Sequence, residues 1–217
     1  MNPPSNKALQ SLLCAGAFII WLLVSRCVGA LPNYSTLNEQ GLLMPLLCSA
    51  EFIALLLWYR RYTRHYADIP IGKLPLRQMM LFILLLLVLL ASQSLYVPQE
   101  SWSNAQLHSP SQQVVLFILA VVLLAPVYEE ILFRGFILQG LLLWAPQQKI
   151  ACSLLTSLLF AAVHTQYTHL QTLIALFLLS LLLCAARFTS RGLKLPICLH
   201  LLNNVMGVLP LLSHSHH

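Results

Sequence analysis

The sequence predicts an all-α protein, a polytopic bundle of about seven membrane-spanning helices, and three observations carry that expectation. Hydrophobic residues make up 59% of the chain and charged residues only 8%, against about 25% charged in soluble domains. The mean hydropathy is +0.78. The apolar residues also fall into runs of about 20, the length a helix needs to cross a bilayer. The implied partner is therefore the lipid bilayer. A net charge of +6 would suit nucleic acid in a soluble protein. Here the basic residues sit in short loops between apolar runs, so they report topology and imply no nucleic-acid partner.

In chain order, spans are expected near 8–28, 41–59, 78–97, 112–143, 150–167, 170–187 and 195–212. The first lacks a small-x-small exit and reads as a retained span rather than a cleaved signal. The second holds Glu51, a buried acid that needs a polar neighbour or an internal cavity. After it, Tyr59 to Arg77 suits the headgroup layer through its arginines and tyrosines. The third carries no motif. The fourth is too long for one straight crossing, and Pro126 predicts a kink or break within it. The fourth and fifth form a hairpin turning near Ala145-Pro146-Gln147.

Lys7, then Arg60, Arg61, Arg64, Lys73 and Arg77, then Lys149, then Arg187, Arg191 and Lys194 occupy alternate loops. The loops near 29–40, 98–111 and 168–169 have no Lys or Arg. The positive-inside rule gives an internal N-terminus and an external C-terminus in a bacterial-type cytoplasmic membrane. Cys14, Cys27, Cys48, Cys152, Cys184 and Cys198 lack CxxC spacing and read as small hydrophobes rather than a disulfide framework or metal cluster. Ser213-His214-Ser215-His216-His217 reads as a solvated tail. The expected division is 1–111, helices without motifs; 112–212, the functional core; and 213–217, the tail.

Pro126-Val127-Tyr128-Glu129-Glu130-Ile131-Leu132-Phe133-Arg134-Gly135 places two acids and an arginine in sequence otherwise almost free of charge. Charge at bilayer depth costs roughly 2.5–3.5 kcal/mol per residue on insertion scales, so each such group needs a partner or a task. Glu130 and Arg134 stand at i,i+4 and can pair. Glu129 lies about 100° around the helix and faces something else. His164 follows Phe160 by four residues on the fifth span. It stands as far from the hairpin turn as Glu129, which puts a carboxylate and an imidazole at one depth. On the seventh span His200 and Asn204 share a face. His200 lies about 8 Å past a basic loop, shallower than Glu129. That mismatch leaves three options: a tilted span, a deeper start, or a cleft open to the inside.

Glu129, His164, His200 and Asn204 are what peptide hydrolysis in a membrane requires. A carboxylate can activate water with help from an imidazole, and His200 and Asn204 offer donors for an oxyanion. No GxSxG or HExxH motif occurs, which leaves serine-hydrolase and zincin chemistry without a motif.

Glu129-Glu130-x-x-x-Arg134, Phe160-x-x-x-His164 and His200-x-x-x-Asn204 resemble, in order and spacing, the three signature motifs of the CPBP family. These are the CAAX proteases and bacteriocin-processing (Abi) proteins, which include CAAX prenyl endopeptidases of the Ras-converting type. The resemblance covers roughly 112–210. It implies a glutamic-type intramembrane endopeptidase whose last four spans enclose a polar cleft. In that reading Glu129 is the base, His164 its helper, and His200 and Asn204 the oxyanion site. Glu130, Arg134 and Phe160 give structural support. The substrate is a membrane-associated peptide or protein, processed at a CAAX-type or leader-peptide/bacteriocin-type site. No cofactor is implied, with zinc on Glu129, His164 and His200 as the alternative. The rival function is a non-proteolytic scaffold or immunity protein of the same fold. A proton-coupled carrier using Glu51 and Glu129 is weaker still, since no inverted repeat supports it.

Overall fold

The computed structural model describes residues 7–98, 100 and 111–214. Among these are eight helices and no β-strand. They are α1 (Lys7–Gly29), α2 (Tyr34–Glu39), α3 (Leu43–His65), α4 (Leu76–Gln93), α5 (111–144), α6 (Lys149–Ala162), α7 (Leu170–Ser190) and α8 (Lys194–His214). Five of them, α1, α3, α4, α5 and α7, are long and apolar enough to cross a membrane, while α6 and α8 are shorter apolar helices. The chain is a polytopic helical bundle, with apolar helices at all seven expected places. The tail expected from 213 is helical through His214, and 215–217 lie outside the described residues, as do 99 and 101–110 of the loop before α5.

Apolar side chains face outward as well as inward. On α4 only Phe82 and Leu86 are buried, while Met80, Leu81, Leu84, Leu85, Leu87 and Val88 are exposed. A patch of that extent is a liability in water and an ordinary outer wall in lipid. Of the cysteines, Cys14, Cys48, Cys152 and Cys184 are buried, and Cys27 and Cys198 are exposed.

Pro126 does not break α5. Its missing N–H and its ring cannot be fitted into regular α winding, and the helix loosens to π winding over Ala120–Leu124 just before it. A second π stretch, Ile131–Ile137, follows the acids. At the first, the Ala125 N–H bonds the Ala120 carbonyl, five residues back. The next donor in that register would be Pro126, which has none, so the Val121 carbonyl lacks a backbone donor. π turns inside α-helices are frequent at functional sites.

The end of the bundle that carries the basic loops is closed by backbone. The Leu193 and Lys194 N–H groups donate to the Pro70 and Ile71 carbonyls at 3.2 and 2.9 Å. Gly72, at φ +75°, lies so close to Gly192 that a Cβ on it would fall 2.5 Å from the Gly192 Cα. The Tyr59 hydroxyl donates to the Ile69 carbonyl at 2.8 Å, and Tyr62, buried, meets Phe136 edge-on. Within Tyr59 to Arg77, the stretch expected at the headgroups, helix comes first and loop second. α3 continues to His65, because Tyr62 has an apolar partner to bury against, and the loop after it tucks beneath the bundle.

Candidate active site

Each site group is held by an element already described. On α5, Glu130 and Arg134 pair at 2.9 Å with both side chains fully buried. The other guanidinium nitrogen of Arg134 donates to the carbonyl and hydroxyl of Ser180 on α7, at 3.0 and 2.7 Å. The guanidinium also lies over the Phe160 ring, 4.8 Å from its centroid. A buried ion pair survives desolvation only when such extra bonds are supplied. Glu129, one residue earlier, has a 15% exposed side chain, and its Oε2 has no hydrogen-bond donor among the described residues.

Two imidazoles converge on that oxygen. His164 Nε2 stands 3.9 Å and His200 Nε2 3.8 Å from Glu129 Oε2. His164 ends α6: its Nδ1 bonds the Phe160 carbonyl at 2.6 Å, while its backbone N–H turns to Ala161 instead. The helix tightens and stops there, which is why α6 ends at Ala162 and not near 167. A carbonyl only accepts, so Nδ1 carries the proton and a neutral His164 turns the Nε2 lone pair toward Glu129. His200 Nδ1 bonds Glu130 Oε1 at 2.8 Å, so Glu130 joins Arg134 and His200. Phe160, fully buried, meets both imidazoles, with centroids 4.5 and 5.9 Å away.

The depth mismatch of His200 resolves as a deeper start. Leu193 is fully buried in one cluster with Ile69 of the 66–75 loop, and Leu195 is fully buried against α4 and α7, so α8 begins inside the bundle. Asn204 takes a further part: its Nδ2 donates to the orphaned Val121 carbonyl at 2.9 Å. α8 is thereby clamped to the π turn that precedes the acids. Its Oδ1 accepts from Asn203 at 3.1 Å.

These groups line a cavity of about 710 Å³. Its wall differs from the expected one in its makers. Beside α5 to α8 it includes Trp21 and Ser25 of α1, and Met44, Leu47, Cys48 and Glu51 of α3, so the cleft is not made by the last four spans alone. α1 and α3 pack directly on α5, and a span without a motif still supplies wall. Glu51 meets both its expectations: it lines the cavity and accepts from the Ser25 hydroxyl at 2.6 Å. The Tyr128 hydroxyl is a second partner.

Sequence reasoning missed Ser180, Ser25, Tyr128 and Tyr167, whose ring stacks near His164 at 6.2 Å. Their hydroxyls in apolar runs are a weak signal, common in structural roles. It also missed Glu100. That carboxylate accepts from the Thr168 and His169 N–H groups and from the Thr168 and Thr172 hydroxyls, pinning the loop before α7. Its burial disfavours the charged form, but these four bonds outweigh it and hold Glu100 below the usual carboxylate range. Among the described residues, no group of three or more His, Cys, Asp or Glu is set to hold a metal ion.

Comparison with known proteins adds kinship. A protein-family model described as type II CAAX prenyl endopeptidase Rce1-like matches residues 111–206. An uncharacterized 24.3 kDa protein of Escherichia coli is 34% identical over 188 residues, which cover 83% of this chain and 82% of that protein. No solved structure matches.

Proposed function

This chain belongs to the Rce1-like CAAX protease family, and we propose that it is a glutamic-type intramembrane endopeptidase in which Glu129 activates the attacking water. The observation that carries the reading is the convergence of two imidazole nitrogens, at 3.9 and 3.8 Å, on a carboxylate oxygen without a donor at the cavity wall. Gaps of that length suit one bridging water making bonds of ordinary length.

In the proposed step Glu129 Oε2 takes a proton from this water as its oxygen attacks the scissile carbonyl, and the His164 Nε2 lone pair holds the water in line. The carbonyl oxygen becomes an oxyanion. His200, its Nδ1 held by the Glu130 carboxylate, stabilises it as an imidazolium by donating its Nε2–H. Asn204 keeps one amide N–H bonded to Val121 and offers the other. When the C–N bond breaks, Glu129 returns its proton to the leaving amine. Glu130, Arg134 and Phe160 hold the two histidines in place. The substrate proposed is a membrane-associated peptide or protein in the bacterial cytoplasmic membrane, of leader-peptide, bacteriocin or CAAX type.

The zinc alternative on Glu129, His164 and His200 is tested together with the base. Purified protein is incubated with a panel of membrane peptides and the cuts are mapped by mass spectrometry. Wild type is expected to cleave with chelator present, and Glu129→Gln to lose about 10²–10⁴-fold. Undiminished cleavage by Glu129→Gln would remove it as the base, while activity lost to chelator and restored by zinc would establish the metal reading.

A further inference from the structure

We propose that the cavity is loaded from the extracytoplasmic side of the membrane, with an internal neutral or basic peptide segment rather than a chain end bearing a free carboxylate. The substrate half rests on the proteolytic reading; the sidedness does not.

The first support is where the lining residues fall along each helix. On α1 they are Trp21 and Ser25, in its last third; on α3 they run from Met44 to Glu51, in its first third. α6 contributes only from Phe160 onward, through the loop residues Thr165, Gln166 and Tyr167. On α7 none lies beyond Leu179, and on α8 none before His200. Because neighbouring helices run antiparallel, all these positions share one end of the bundle. It is the end opposite the loop clasp at Gly72 and Gly192.

The second support is charge. Of the twelve Lys and Arg residues, ten lie at or beyond the clasped end, in or beside its loops. Arg134 is internal, and Arg26, in the last turn of α1, is the one at the hollow end. Positive residues mark the cytoplasmic side, so the hollow end faces out. The third support is the lining itself: Glu51 and Glu129 are its acidic side chains, and no Lys or Arg is among the described residues that form it. A free carboxylate entering there meets two acids and no Lys or Arg, and the one imidazolium, His200, is already paired with Glu130, whereas a lysine or arginine side chain meets opposite charge.

The sidedness test uses single cysteines at Thr165→Cys, on the cavity rim, and Lys73→Cys, in the clasped loop. Each is placed in a chain with its native cysteines replaced. Spheroplasts with intact membranes are treated with a membrane-impermeant maleimide. Labelling of position 165 without lysis, and of position 73 only after permeabilisation, is expected. The reverse pattern overturns the proposal. A wild-type chain with alkaline phosphatase fused to its C-terminus gives a second readout, because α8 ends at the hollow end: phosphatase activity supports the proposal and an inactive, stable fusion overturns it. Both readouts hold in Glu129→Gln, so a wrong orientation is distinguishable from a wrong chemistry. For the substrate, one cleavable peptide is compared with its free acid and its amide at a C-terminus within three residues of the cut. The amide is expected to have about tenfold higher kcat/KM. An equal or better free acid overturns the charge half.

Discussion

The two ends of the bundle differ in what fills them. At the clasped end backbone meets backbone: Gly72 and Gly192 give up their side chains so that two loops can touch, and Leu193 and Leu195 are sealed beneath. At the hollow end about 710 Å³ is left open among acids, imidazoles and amides. Protein interiors hold few voids larger than a water, so a space of that size, with acids, imidazoles and amides set into mostly apolar walls, is a working volume. The boundary between the two regimes passes between adjacent residues. Glu130 is turned into the packed side and given Arg134 and His200. Glu129 is turned into the hollow, where its Oε2 meets no donor among the described residues.

The largest effect that would break this contrast is the loss of a buried partner. Arg134→Met strands Glu130 in the packed interior and should cost about 3–5 kcal/mol of stability, seen as a large fall in the thermal midpoint in detergent. A small fall would mean that the interior is wetter than described. Next, Gly192→Ala forces a methyl group into the Gly72 backbone. Overpacking of this kind costs about 1–3 kcal/mol. Turnover per folded molecule should stay near wild type, because the start of α8 separates the clasp from His200, whose Nδ1 stays bonded to Glu130. An equal loss of turnover and stability would show that the two ends are coupled.

The smallest effect concerns Glu100 at the rim. Its carboxylate is held below the ordinary glutamate value of 4.5 by bonds that exist only in the fold. Its contribution is therefore complete above that value and is lost as pH falls through the lowered one. Hydrogen exchange at residues 165–172 should speed up in acid below pH 4.5, and Glu100→Gln should exchange faster at neutral pH with that acid step removed. An acid step that persists in Glu100→Gln would assign it to another group.

Much of this was legible before the fold. The apolar runs located the helices, because lipid leaves few other ways to satisfy a backbone. Equal distances from the hairpin turn brought His164 to Glu129, since helix rise converts sequence separation into depth. The remainder depended on events that periodicity does not record. The α6 terminus is decided by the His164 ring taking the Phe160 carbonyl. The depth of His200 is decided by a loop from far earlier in the chain. The Asn204 amide N–H has a carbonyl on α5 to bond because Pro126 orphaned that of Val121. The share of α1 and α3 in the cavity wall was illegible because their contributors, Glu51 excepted, are ordinary residues of apolar spans.

The account rests on the division of labour between two adjacent glutamates, and one paired measurement tests it. Glu129→Gln and Glu130→Gln are purified, and each is assayed for peptide cleavage and for thermal midpoint. Glu129→Gln should keep the wild-type midpoint while cleavage falls by about 10²–10⁴-fold. Glu130→Gln should melt well below wild type, because Arg134 and His200 lose their shared partner. A Glu129→Gln protein that cleaves normally, or a Glu130→Gln protein as stable as wild type, would contradict it.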